Sequence, residues 1–356
     1  MRLRQVIIQT GLIGVWCVLP GAAGSVSAQH ALMSAANPAA TVRNYRGSIG
    51  NSHIEMRLQA DGDQISGSYT YDRIGQDIKL AGHKDHQGRL ELKEYDTGGK
   101  QTGSFVCKRE LDDPVDSECT WSKPHSTDEI LVVLHEQYIA FSNGLRVVPK
   151  LITNRKSGVD VSYPQLIGGS GSTAAAVERF NRRVTFLATK AIKEFEPGGD
   201  PGRNSFDTNY TILFGTNDLV SVEMYEESDS GGAHPNDRYW TVNYDLAANR
   251  ELKLEELFKP KSDYQTAISK YVATDINKRV DQLEQDEAKR EGRPPKPPDD
   301  PLVSDEQLFS QIEAFAITPK GLMIYFDFPH VMSVFDKNFV PYSIVSGALR
   351  RPLKRP

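Results

Sequence analysis

Positive charge is in short supply: 42 Lys+Arg stand against 47 Asp+Glu in 356 residues, a formal net charge of −5. Nucleic-acid binding rests on clustered Lys and Arg that release counterions from phosphates, so nucleic acid is the least expected partner. Cysteine is scarce, with three residues, and two cysteines left after export leave any metal site short of ligands. The eight histidines never fall in a His-Glu-x-x-His pattern, and no phosphate-binding Gly-x-x-x-x-Gly-Lys-Ser or dinucleotide fingerprint occurs. No metal and no cofactor are therefore expected. Long apolar runs are missing as well. The one candidate, Val6 to Leu19, is interrupted by Gln9 and Thr10 and falls short of the ~20 residues that span a bilayer.

What that first segment does contain is an export signal. Arg2 and Arg4 precede the apolar stretch, Pro20 breaks it, and Val26-Ser27-Ala28 ends it on small residues. Residues 1–28 read as a signal peptide cleaved before Gln29, which predicts a periplasmic or secreted protein with no membrane span after cleavage. Trp16 directly before Cys17 argues against lipidation, which calls for a small residue there. Cys107 and Cys119 remain as an even pair suited to a disulfide in an oxidising compartment.

The rest of the chain is long enough for roughly two domains that bury their own cores. After a small-residue linker at 29–40, apolar residues alternate at 54–58, 69–71, 78–80, 90–92, 105–107 and 119–121, with glycine-bearing turns between them. Period-two bursts at this spacing predict successive antiparallel strands, a small all-β meander over 41–124. His83 and His86 fall at one of its turns and read as solvated. Residues 125–350 predict an α+β domain with helices packed on an antiparallel sheet, and 351–356 a frayed basic tail. Val177, Phe180, Val184, Leu187, Ala188, Ala191, Ile192 and Phe195 share one helical face, with Ser172 or Thr173 as cap and Pro197-Gly198-Gly199 as stop. Strands follow at 210–214, 220–224 and 240–244. A second amphipathic helix from Tyr264 runs through the charged stretch Glu284 to Glu291 to a proline-rich loop, and a hairpin turns at Thr318-Pro319-Lys320-Gly321.

Chemistry-bearing residues crowd one place, Glu226-Glu227-Ser228-Asp229-Ser230-Gly231-Gly232, with His234 and Asn236 just beyond. Glu227, Asp229, Gly231, Gly232, His234 and Asn236 are the candidate ligand-binding residues, since loops on rigid scaffolds often bind. The plainer reading is a tight strand connection in which Gly231 and Gly232 supply positive φ and Asp229 and Asn236 bond the local backbone. A catalytic reading would use Glu227 and Asp229 as a carboxylate pair on a glycan. Gly168 to Ser172 approaches a nucleophile elbow but ends in serine, which leaves a loop and helix cap.

The phrase Val161-Ser162-Tyr163-Pro164-Gln165-Leu166, the block Gly231 to Pro235 followed by Tyr244-Asp245 and Leu252 to Phe258, and Ile317 to Leu322 with Val340-Pro341-Tyr342-Ser343 form an ordered series. Over about 155–350 it resembles the extracellular domain of unknown function shared by the lysozyme-sensing anti-sigma factor RsiV and the peptidoglycan deacetylase PdaC. The resemblance implies an α+β fold in an envelope protein and, for the anti-sigma branch, recognition of a lysozyme. Deacetylation belongs there to a separate domain with a His-x-x-x-His metal motif, which no histidine pair here reproduces. The expectation is an exported cell-envelope binding protein, more a binder than an enzyme, with peptidoglycan or a lysozyme-type protein as ligand. A hydrolase acting on a glycan or envelope polymer, and a structural envelope protein, are the alternatives.

Overall fold

Eight antiparallel strands come first: β1 (Thr41–Ile49), β2 (Ser52–Asp61), β3 (Gln64–Tyr71), β4 (Asp77–Lys84), β5 (Leu90–Tyr95), β6 (Gln101–Cys107), β7 (Ser117–Ser122) and β8 (Ile130–Gln137). Each pairs with the next, and β8 returns to β1 with Gly47 opposite Leu134, which closes a barrel. This computed structural model describes residues 41–107, 117–198, 204–232, 234–296 and 301–350. The signal peptide, the linker and the basic tail lie outside the described residues.

The expected meander is thus a closed barrel, and the strands that close it carry the weakest alternation. In β1 the inward Tyr45 and Ile49 flank an arginine, Arg46, that is fully buried. In β8 the apolar residues run on without alternation, although only Val132 and Leu134 join the barrel core. Gly47 sits at the seam because a Cβ there would lie 1.9 Å from the Val133 carbonyl oxygen. Cys107 and Cys119 face each other across β6 and β7 and are disulfide-bonded in the barrel core. By restricting the unfolded chain such a bridge contributes on the order of 3 kcal/mol.

The second half holds two sheets. The larger runs in the order β14 (Arg250–Glu251), β13 (Asn236–Asp245), β12 (Leu219–Ser230), β11 (Asn204–Gly215), β10 (Val159–Ile167) and β9 (Arg146–Asn154). Its pairs are antiparallel except β10 with β11, which are parallel because helix α1 (Ser172–Glu194) crosses between them. The expected helix is present, but Gly171 holds the cap position and Ser172 already lies in the first turn. Ala176, Val177, Phe180, Val184, Ala188 and Ala191 bury one face of α1 against this sheet, and full burial of a side chain such as Phe180 contributes roughly 1.5–3 kcal/mol. The smaller sheet, β15 (Ile312–Ile317), β16 (Gly321–Phe326) and β17 (Lys337–Pro341), packs with helix α2 (Tyr264–Glu291) around a second core. The charged stretch from Glu284 forms the last turns of α2, which Gly292 ends in a left-handed conformation with φ 69°.

The barrel docks on the larger sheet through polar groups. The Arg46 guanidinium, with 0% of its side chain exposed, forms a bidentate pair with Asp72, whose side chain is 3% exposed. It also donates to Asn209 Oδ1 at 2.8 Å and to Ser162 Oγ at 2.8 Å, and it lies 4.1 Å from the centre of the Tyr210 ring. Burial alone would raise the Asp72 carboxyl, but the hydrogen bond and charge of Arg46 outweigh it and hold the group below its ordinary value. Nearby, Gln137 Oε1 accepts from the Ile212 amide at 3.0 Å, and Arg73 pairs with Asp160.

Breaking one side of this pair strands the other in a dry interface. Arg46→Ala is expected to cost about 3–5 kcal/mol in urea unfolding. A cost under about 1 kcal/mol, the range of an exposed pair, would show that water reaches Asp72.

Candidate functional site

Strands β12 and β13 form a hairpin whose alternation points successive side chains to opposite faces of the sheet. One face carries Glu223, Tyr225 and Glu227 from β12, opposite Thr241, Tyr239 and Asp237 of β13. The other carries Met224, Glu226 and Ser228, opposite Trp240, Arg238 and Asn236.

Each face opens into a depression. On the barrel side lies a groove of about 520 Å³, walled by Ser48, Asn51 and His53 of the barrel and by Asp207, Tyr225, Glu227 and Tyr239 of the sheet. The Tyr225 and Tyr239 rings are 5.2 Å apart at their centres, and Tyr239 is 5.3 Å from Tyr325. His53 Nε2 is 3.0 Å from Asp207 Oδ1 across the barrel–sheet junction. At one end Glu223, buried, accepts from Tyr325 and from Lys337 Nζ, whose nitrogen is 3.0 Å from Oε2. Tyr210, 1% exposed, also lines the groove, and its hydroxyl has no hydrogen-bond partner among the described residues.

On the helix side lies a cleft of about 510 Å³ between α1, the hairpin and the segment 327–336. Its polar lining includes Glu226, Asp237, Arg238, Asp327, His330 and Asp336. Arg238 holds Glu226 at 3.1 Å. Asp336, 5% exposed, accepts from the Phe328 amide at 2.9 Å. Burial, with the charges of Asp237 and Asp327 adding to it, pushes its carboxyl up to about 6.

The six residues singled out in the sequence are divided by this geometry. Glu227 lines the groove, whereas Asn236 lines the cleft. Asp229 is taken up by its own turn, accepting from the Gly231 amide at 2.7 Å. Gly231 adopts φ 84°, but Gly232 does not adopt a positive φ, so one glycine suffices for the turn. His234 stacks on His330 with ring centres 3.5 Å apart, at the edge of the cleft. His83 and His86 are exposed, and no group of three or more metal-ligating side chains occurs among the described residues. Tyr225, Tyr239, Asp207, His53 and Asp336 were not picked out by motif. The signal for the first of them was present in Glu223-x-Tyr225-x-Glu227, which strand alternation puts on one face.

Residues 255–336 match the model of a family described as a protein of unknown function, DUF3298. That segment holds α2, β15, β16 and the cleft residues Asp327, His330 and Asp336. The resemblance read from the sequence is borne out by this match and by a relative from Bacillus subtilis, peptidoglycan-N-acetylmuramic acid deacetylase PdaC, 26% identical over 167 residues. The match takes in 47% of this chain and 33% of that protein, so the chain spans about a third of the relative's length. Two solved DUF3298 family structures are similar: one from Pseudomonas aeruginosa at 16% identity and TM-score 0.37, covering 60% of this chain and 96% of that one, and one from Bacteroides fragilis at 13% and 0.36, covering 59% and 95%. No helix among the described residues is long and apolar enough to cross a membrane.

The raised Asp336 carboxyl carries a stability signature. Its folded value, about 6, lies above the ordinary carboxyl value, so the folded state holds the proton more tightly. That contribution is fully present below the ordinary value and is lost as pH rises through about 6. Asp336→Asn stays neutral throughout. Its thermal midpoint should therefore gain on the parent between about pH 4.5 and about pH 7.5, and a constant difference would show that the carboxyl is not held up.

Proposed function

We propose that this chain is an exported cell-envelope protein that binds its ligand without transforming it, and that the ligand is an envelope glycan of the peptidoglycan class held in the barrel-side groove. The observation that carries this reading is the pairing of Tyr225 and Tyr239 on the groove wall beside the carboxylates Glu227 and Asp207. Aromatic faces cover the apolar C–H faces of a sugar, and a few convergent polar groups orient its hydroxyls. The export signal and the Cys107–Cys119 bridge support an oxidising compartment outside the cytoplasm. The similarity to a peptidoglycan deacetylase over a third of its length supports an envelope setting.

Purified chain, residues 29–356, is incubated with isolated peptidoglycan and separately with immobilised c-type lysozyme, and soluble products are assayed in the same tubes. Saturable retention on peptidoglycan without new products is expected. Tyr225→Ala should weaken it by about 1 kcal/mol, roughly fivefold in Kd. Retention on lysozyme alone would transfer the reading to a protein ligand, and retention on neither would leave a structural envelope role.

Asp336 favours one second reading, a hydrolase acting on an envelope polymer from the helix-side cleft. A carboxyl pushed up to about 6 keeps its proton close to neutral pH and can donate it to a leaving oxygen, with Asp237 or Asp327 as the second carboxyl group of the pair. That reading requires product release that falls as pH rises above about 6 and disappears in Asp336→Asn. Intact product release in the variant would overturn it.

A further inference from the structure

Behind the Glu223 end of the groove stands a worked example of ammonium recognition. Lys337 Nζ sits 3.0 Å from Glu223 Oε2 and 5.6 Å from the centre of the Tyr239 ring, so one carboxylate and one aromatic face together hold a primary ammonium. Further along the same face of β12 the same two groups recur, with Tyr225 as ring and Glu227 as carboxylate, two and four residues beyond Glu223. Tyr225 lies opposite Tyr239 in the register, and Glu227 lies opposite Asp237.

Among the described residues this second pair has no cation: no Lys or Arg of them lines the groove, and Glu227, which is exposed, makes a long 3.5 Å contact with the Tyr225 hydroxyl. The other groove carboxylates are occupied: Asp160 by Arg73, Asp207 by His53, and Glu223 by Lys337. Burial, then the charges of Glu227 and Asp237, push the Tyr225 phenol well above its ordinary value.

We propose that Tyr225 and Glu227 bind a primary ammonium carried by the ligand, as Tyr239 and Glu223 bind that of Lys337. The inference rests on the reading of the groove as a glycan site and specifies which glycans it selects: those bearing a free amine, either on the sugar itself or on an attached peptide. An ammonium over an aromatic ring gains from the ring quadrupole, and the adjacent carboxylate adds charge. An acetylated nitrogen offers neither interaction.

Isothermal titration of the purified chain with three probes tests this: a fully N-acetylated chito-oligosaccharide, the de-N-acetylated oligosaccharide of equal length, and a peptidoglycan stem peptide with a free diamino-acid side chain. The expected result is that one of the amine-bearing probes binds about tenfold more tightly than the acetylated sugar. Glu227→Gln, an exposed substitution that leaves the cores untouched, should abolish that preference. Tighter binding of the oligosaccharide assigns the amine to the sugar, and tighter binding of the stem peptide assigns it to the peptide. Equal binding of the acetylated and free-amine sugars, with no binding of the peptide, overturns the ammonium site and leaves the glycan reading intact. A preference that survives in Glu227→Gln also overturns it. Binding of none of the three overturns both.

Discussion

A guanidinium sealed between two β-structures has to be answered by its surroundings, and Arg46 is answered on every side. Asp72 takes two of its N–H groups, Asn209 and Ser162 accept from it, and Tyr210 lies against its face. The cost of taking that charge out of water is offset only while all these partners stay in place. They come from the barrel itself (Asp72), from β10 (Ser162) and from β11 (Asn209, Tyr210), so the hydrogen bonds of Arg46 to Asn209 and Ser162 tie the barrel to the sheet. The groove exists because of this docking, since one wall is barrel and the other is sheet. The specificity of the arrangement comes from polar satisfaction, because an apolar junction of the same area would tolerate sliding.

The β12–β13 hairpin then divides the chemistry. Strand alternation sends Glu227 toward the tyrosine-lined groove and Glu226 toward the acidic cleft, where Arg238 neutralises it. Two neighbouring glutamates therefore have unrelated environments. The groove pairs aromatic faces with carboxylates, a combination suited to holding a ligand. The cleft shifts a carboxyl, a feature that chemistry exploits when it occurs in an open site. Both depressions share one partition, the paired backbone of β12 and β13.

The family match and the groove occupy largely different parts of the chain. Residues 255–336 build α2, the first two strands of the smaller sheet and one side of the cleft. The smaller sheet nonetheless reaches the groove through Tyr325 and Lys337, which complete the Glu223 end. The barrel supplies the opposite wall. The groove is thus made by the barrel joined to this domain, and neither wall alone would form it.

Much of the architecture was legible because it follows from local rules. Period-two alternation located β2 to β7, the 3.6-residue period located both helices, and two lone cysteines defined one bridge. The barrel strands that escaped, β1 and β8, are those whose sequence obeys a neighbour instead of a pattern: Arg46 is inside because Asp72 and Ser162 are there to meet it. Barrel closure, the parallel β10–β11 pair and the second sheet are long-range pairings that no window of adjacent residues encodes. The same holds for the site. The sequence by itself determined that acids, glycine and histidine gather at the β12–β13 turn. Tertiary structure alone decided that they separate onto two faces, that Asp229 is spent on its own turn, and that Tyr225 and Tyr239 stand side by side next to Glu227. Adjacency in a strand places side chains back to back, and only packing against a partner decides which of them share a space.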